Sequence, residues 1–361
     1  MSETSFSSGR GEGEARMSRR AVIGSALALA ACDRPARSAA PVSLRPLKAL
    51  APFPVGTAVQ AAHLADPALA GLIAANASQL TAEWEMKMEY IVADDGSFRF
   101  DAPDRIAAFA RDHGLNLFGH TLVWYAQAPR AFAALDTRRV AFAEAYRNYI
   151  LAVVGRYRGQ AVGWDVVNEA VAEDGEGWRD SLWAQRLGAF EHMRLAFAHA
   201  READPGAVLF LNDYNLEYLP KKRATFLKLA ERLLAAGAPL GGLGTQTHVA
   251  ADLEPGVLKT TLADLGSLGL PVHVSEFDVS LARAKGLRRR ADLAQDQARV
   301  YAEAAEAFMA LPAAQRFAFS FWGLRDGESW LKREDAADTP APFDDAGRAK
   351  PAAAAWAAGL A

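Results

Sequence analysis

The chain has a single cysteine, Cys32, in 361 residues. No intramolecular disulfide can therefore brace the fold. Charge of either sign is nearly balanced: 40 lysines and arginines face 43 aspartates and glutamates, a net charge of −3. No basic stripe is present that could neutralise a phosphate backbone, which argues against a nucleic-acid partner. No Gly-x-Gly-x-x-Gly turn follows the first strand, and the seven histidines show no His-Glu-x-x-His spacing. Neither a dinucleotide cofactor nor a metal is expected. There is also no repeat of solenoid period.

Long apolar runs are lacking too. The run from Ala21 to Ala31 follows Met17-Ser18-Arg19-Arg20 and is too short to span a bilayer. A basic head with an apolar segment of this length reads as an export signal. The arginine pair resembles a twin-arginine signal in part. Leu29-Ala30-Ala31-Cys32 resembles a bacterial lipoprotein cleavage site, which would leave Cys32 as a lipid anchor; the plainer reading is a cleaved signal with an incidental cysteine. Residues 1–32 are thus expected to be a disordered extension plus signal, with Met17 an alternative start. Residues 33–46, rich in Ala, Pro, Ser and Arg, read as a linker. The product is expected to be exported, either periplasmic or held at a membrane, and monomeric.

What remains, residues 47–361, alternates strand-like and helix-like stretches. Short apolar runs predict strands at Phe53–Val59, Ser78–Thr81, Leu115–Leu122, Val162–Val167, Val208–Leu211, Gly242–Thr247, Val272–Ser275 and Phe317–Phe321. Amphipathic spacing predicts helices at Arg138–Tyr157, Trp183–Ala203, Arg223–Ala236, Leu293–Ala310 and Ala352–Ala358. Such an alternation over roughly 300 residues predicts an α/β fold of the (β/α)8 TIM barrel type, forming a single catalytic domain. The alternative is a doubly wound open sheet.

In a barrel, catalytic groups project from the C-terminal ends of the strands. The polar residues follow that rule. Strand two leads to Glu83, Trp84 and Lys87, and strand three to His120 and Trp124. Strand four delivers Asn168 and Glu169. Asn212, Asp213, Tyr214 and Asn215 follow strand five, and Gln246 and His248 are carried on strand six. Strand seven ends in Glu276, with Asp278 beyond it, and strand eight leads to Trp322 and Trp330. Paired carboxyls at Glu169 and Glu276 suit glycoside hydrolysis, where their separation decides between retention and inversion. The tryptophans add to a sugar reading, since indole faces pack on apolar sugar faces. Any one of these residues could be a satisfied structural group, and taken alone Asn168-Glu169 or a single tryptophan reads more readily that way.

These segments together resemble glycoside hydrolase family 10, the retaining endo-β-1,4-xylanases, over roughly residues 50–357. The resemblance is carried by Thr81-Ala82-Glu83 with Lys87, Gly119-His120-Thr121-Leu122-Val123-Trp124, Trp164-Asp165-Val166-Val167-Asn168-Glu169, Asn212-Asp213-Tyr214-Asn215, Gln246-Thr247-His248, Ser275-Glu276-Phe277-Asp278 and Phe321-Trp322-Gly323. It implies Glu169 as general acid/base and Glu276 as nucleophile. It further implies Asn168 on the 2-hydroxyl of the sugar at the cleaved bond, His248 hydrogen-bonded to Glu276, and Lys87, His120 and Gln246 in the same subsite. Trp322 and Trp330 would wall the glycone side, and Glu83 would bind the next sugar outward; Trp124 and Tyr214 join the substrate-binding set. The implied partner is xylan or a xylo-oligosaccharide. Related readings are a barrel glycosidase acting on short xylo-oligosaccharides or β-1,4-glucan, and a non-catalytic sugar-binding lipoprotein.

Two positions depart from the family pattern. Trp84 stands where asparagine is usual, so it either reshapes the glycone side or turns away beneath its loop. Tyr125 stands where a histidine is usual, and a phenol titrates far higher than an imidazole.

Overall fold

The computed structural model describes residues 44–135, 139–286 and 288–361. The export signal, Cys32 and most of the linker fall outside the described residues. Within them, nine strands pair in parallel: β1 (Val55–Val59), β2 (Gln79–Ala82), β3 (Asn116–Trp124), β4 (Ala161–Asn168), β5 (Val208–Asp213), β6 (Gly242–Thr245), β7 (His248–Ala250), β8 (Val272–Ser280) and β9 (Arg316–Phe321). The order is β6-β5-β4-β3-β2-β1-β9-β8-β7, and β6 also pairs with β8. That pairing closes the ring, with β7 a short outrigger on β8. A closed parallel ring with helices between its strands is a (β/α)8 barrel, so the open-sheet alternative fails.

Closure needs an interior filled by side chains rather than a pore. Aromatic residues supply the volume. Phe118 and His273 meet at 4.6 Å between ring centroids, and Phe210 and Phe317 also at 4.6 Å. Burial pushes the His273 imidazole down to about 3, so it is a neutral core group, with Nε2 2.8 Å from Ser320 Oγ. Two glycines make room for large neighbours. A Cβ at Gly119 would lie 2.0 Å from the Trp164 ring, and one at Gly242 would lie 2.2 Å from the Phe210 ring. Outside the ring, helices at Arg139–Arg156, Glu191–Ala203, Pro220–Ala235 and Arg290–Met309 turn their buried faces onto the strands.

The elements correct the sequence reading in three places. The helix expected over Trp183–Ala203 is two helices, Leu182–Leu187 and Glu191–Ala203. Gly188, at φ 105°, breaks them, because only glycine adopts that backbone without strain. Strand six does not carry Gln246 and His248. It stops at Thr245, the left-handed Thr247 (φ 56°) turns the chain, and His248 opens β7. Strand seven does not end at Glu276. β8 runs on to Ser280, because β7 pairs with its far half through His248 and Asp278.

Candidate active site

The C-terminal ends of the strands surround a cleft of about 410 Å³. Of the thirteen residues assigned to the site from sequence, all but His120 and Asn168 line it. Those two lie just behind the wall, fully buried. Asn215, Arg283 and Arg333 line it as well.

Glu169 follows the last residue of β4 with a left-handed backbone, φ 58°. Non-glycine residues rarely hold that conformation, and it persists where neighbours over-determine it. Here they do. The Glu169 N–H donates to the Asn212 carbonyl at 2.8 Å, and two residues on the Val171 N–H donates to Asp213 Oδ2 at 3.0 Å. Asn215 (φ 56°) and Thr247 (φ 56°) share the conformation, so three left-handed residues sit on this rim.

The two glutamates are joined by amides. Asn168 Nδ2 donates to Glu169 Oε1 at 3.2 Å, and Gln246 Nε2 donates to the same oxygen at 2.9 Å. Asn212 Nδ2 then bridges Asn168 Oδ1 (3.0 Å) and Glu276 Oε1 (3.1 Å). Both carboxylates therefore keep an accepting oxygen fixed by N–H donors, and both open on the same cleft.

Basic side chains gather on the Glu276 side. His248 Nε2 is 3.3 Å from Glu276 Oε2, and His120 Nδ1 is 4.0 Å from Glu276 Oε1. Burial pushes the Glu276 carboxyl up, but His120, His248 and Lys87 outweigh it and hold the carboxyl below its ordinary value. Lys87 is itself buried. Desolvation lowers its pKa, with Glu276, Glu169 and Glu83 opposing. Its ammonium stands 4.9 Å from the Trp124 ring centroid and 5.2 Å from that of Trp84. A set of basic groups that keeps one buried carboxylate ionised suits a nucleophile.

Aromatic rings complete the wall. Trp322 packs edge-on against His120 (5.4 Å) and His248 (6.1 Å). Trp330 lies 5.1 Å from the His248 ring, and its Nε1 donates to Asp278 Oδ2 at 2.8 Å. Trp84 lines the cleft rather than turning away beneath its loop. Tyr125 is covered by the Arg179 guanidinium at 4.3 Å, and burial pushes its phenol up. Arg179 also donates to the Tyr214 hydroxyl at 2.7 Å. Among the described residues, His120, Asp165 and Glu276 offer atoms within 4.8 Å of one another, a reach that would suit a cation. His120 Nδ1 and Asp165 Oδ2 already face each other at 2.8 Å, and the set reads as a hydrogen-bonded support.

Residues 45–358 match the profile of glycosyl hydrolase family 10. The chain belongs to that family. It is 34% identical over 318 residues to an endo-1,4-beta-xylanase of Geobacillus stearothermophilus, covering 83% of this chain and 93% of that one. It is 33% identical to endo-1,4-beta-xylanase A of Thermoanaerobacterium saccharolyticum and 33% identical to exoglucanase XynX of Acetivibrio thermocellus, again over 83% of this chain. It spans only 26% and 28% of the length of those two relatives. Among solved structures, xylanase XynB from Paenibacillus barcinonensis, complexed with a conduramine derivative, superposes with a TM-score of 0.81 at 30% identity, over 87% of this chain and 98% of that one.

Within this family 10 site, sequence reading missed the supporting layer. Asp165, fully buried, backs His120, and burial pushes its carboxyl up to about 6. An aspartate inside the apolar run 162–167 was the available signal, since a buried carboxyl needs a partner. Asn212, which bridges the two halves of the relay, sat within a quoted motif but gave no sign of its reach across the barrel. Arg283 and Arg333 carried no pattern at all.

Proposed function

We propose that the chain is a retaining endo-β-1,4-xylanase, hydrolysing β-1,4-xylosidic bonds of xylan or xylo-oligosaccharides by double displacement. The observation that carries this is the pair Glu169 and Glu276, opening on one tryptophan-walled cleft and linked through Asn168 and Asn212. In the first step Glu276 attacks the anomeric carbon while Glu169 protonates the departing oxygen. His120, His248 and Lys87 keep Glu276 charged for that attack. Esterification of Glu276 then removes a negative charge beside Glu169, which favours its ionised form as base toward the incoming water. Asn168, held by the Asn212 and Gln246 amides just behind the cleft wall, is assigned the neighbouring sugar hydroxyl through the family resemblance, a bond that strengthens in the transition state.

Product analysis on defined xylo-oligosaccharides, with the first-formed anomer followed by proton NMR, tests this reading. A β-anomer as first product and internal cleavage of xylohexaose are expected. An α-anomer first would remove the double displacement.

Trp84 favours a narrower version. Its indole sits in the cleft between Lys87 and Arg333, where the family usually has an asparagine able to bond a sugar hydroxyl. We read it as an altered glycone subsite that binds unbranched chains weakly and favours short or decorated ones. If Trp84→Asn leaves the xylohexaose product pattern unchanged, that version fails. Activity on β-1,4-glucan is the second reading, and parallel assays on cellulose and xylan separate it. A non-catalytic sugar-binding role is disfavoured because both glutamates are in place. Export as a lipoprotein is part of the proposal, supported by the sequence through Cys32; intact-mass analysis of membrane and soluble fractions tests it.

A further inference from the structure

Two arginines reach the cleft wall, Arg283 and Arg333. They differ in what answers their charge. Arg283 donates through Nε and Nη2 to the two oxygens of Glu334, at 2.9 and 2.6 Å, and is clamped. Arg333 has no ion pair among the described residues. Its guanidinium carbon lies 4.7 Å from the Trp84 ring centroid, and the residue is exposed. Nearby acidic groups form no ion pair with it. Glu83 is buried and accepts from Gln60 Nε2 at 3.1 Å; burial pushes its carboxyl up, with Gln60, Lys87 and Arg333 opposing. The Glu85 oxygens accept from the Ala61 and Trp84 backbone N–H groups at 2.6 and 3.3 Å. Tyr90, 46% exposed, continues the aromatic surface 6.0 Å beyond Trp84.

An arginine supported by an indole keeps its forked donors free and loses little side-chain freedom when it binds. That fork matches a carboxylate. Unsubstituted xylose units carry no anion, whereas uronic acid branches on xylan do. We infer that Trp84 and Arg333 form a subsite at the glycone end for a carboxylate-bearing side sugar of decorated xylan. The inference rests on the reading of Trp84 as part of the glycone wall. The Trp84 indole braces the guanidinium, and Arg333 takes the carboxylate. Lys87, behind the indole, adds a second positive charge.

The test compares a uronic-acid-substituted xylo-oligosaccharide with the same compound after its carboxyl is reduced to an alcohol, for the wild-type chain, Arg333→Gln and Arg333→Lys. The readout is the ratio of kcat/KM on the acidic compound to that on the reduced one, so each protein is its own reference. The wild-type ratio should be roughly fivefold, the scale of an exposed ion pair near 1 kcal/mol. It should fall toward one in Arg333→Gln, recover only partly in Arg333→Lys, and shrink as salt rises to about 0.5 M. A wild-type ratio near one, or a preference that survives unchanged in Arg333→Gln, would overturn the subsite. Cleavage of linear xylohexaose by the wild-type chain in the same assay keeps that failure distinct. Without such cleavage the xylanase reading falls, and the subsite with it.

Discussion

Asp278 Oδ2 lies 2.9 Å from His248 Nδ1, an ion-pair distance without the alignment of a hydrogen bond. The same oxygen accepts the Trp330 indole N–H, while the other nitrogen of His248 faces Glu276. One buried aspartate thus faces both the imidazole beside Glu276 and the indole of the cleft wall. Burial disfavours the imidazolium, but Asp278 and Glu276 overcome it and push its pKa up to about 10, from an ordinary 6.5.

The pH dependence follows from that direction. The folded chain keeps a proton on His248 that the unfolded chain releases above about pH 6.5. The resulting stability is complete below pH 6.5 and is lost as pH rises through about 10. Melting temperature should therefore fall between pH 7 and 10, and fall less steeply in His248→Gln. Parallel slopes in thermal melts of the two proteins would show that the ion pair contributes nothing.

The two glutamates should fail in different ways. Glu276→Ala should abolish turnover of both xylan and an aryl β-xylobioside. Glu169→Ala should slow xylan hydrolysis by about 10²–10⁴-fold, the usual weight of a general acid. On the aryl substrate its loss should be smaller, because an activated leaving group needs no proton, and azide should restore part of the rate. Equal losses on both substrates in both variants would contradict the assignment.

Gly244 controls the amide relay without touching it chemically. A Cβ there would lie 2.3 Å from Asn212 Oδ1, so Gly244→Ala must displace the Asn212 side chain. Asn212 would then release Asn168 and Glu276 together. Hydrogen bonds to charged groups are worth about 1.5–3 kcal/mol, so kcat should drop about 10–100-fold. Steady-state kinetics beside a thermal melt distinguishes this from simple unfolding, which would lower both in step.

Lys222 is fully buried beneath the rim, 3.0 Å from Asp213 Oδ1, 3.1 Å from Glu173 Oε2 and 3.7 Å above the Tyr214 ring. Lys222→Met leaves Asp213 charged and unpaired, at a cost of about 3–5 kcal/mol. Burial already pushes Asp213 up to about 6, with Lys222 in opposition. Losing Lys222 raises that carboxyl further, so the variant goes on losing stability above about pH 6 where the parent does not, and the deficit should be larger at pH 8 than at pH 5. Adding Asp213→Asn should recover part of it. Denaturant melts at the two pH values would expose a pH-independent deficit, which would contradict this account.

Much of the barrel was legible because its signals are local. Apolar runs, glycine breaks and helical spacing depend on neighbours in sequence, and they located every strand of the ring to within a few residues. The errors arose where one backbone residue overrides the pattern. Thr247 breaks a strand that composition alone would continue, and β8 outruns its apolar start because β7 pairs with it. Positive φ at a threonine has no compositional signature.

The order of motifs along the chain determined the ring and the family and singled out the two acids proposed to lead its chemistry, since each is encoded in a short segment. Tertiary structure alone decided what surrounds those acids. Asp165 behind His120, Asn212 between the glutamates and Arg333 over Trp84 are 45, 44 or more residues from the partners they serve. Charge and hydrogen bonding act through space over a few ångströms, and only the closed barrel brings such distant positions that near.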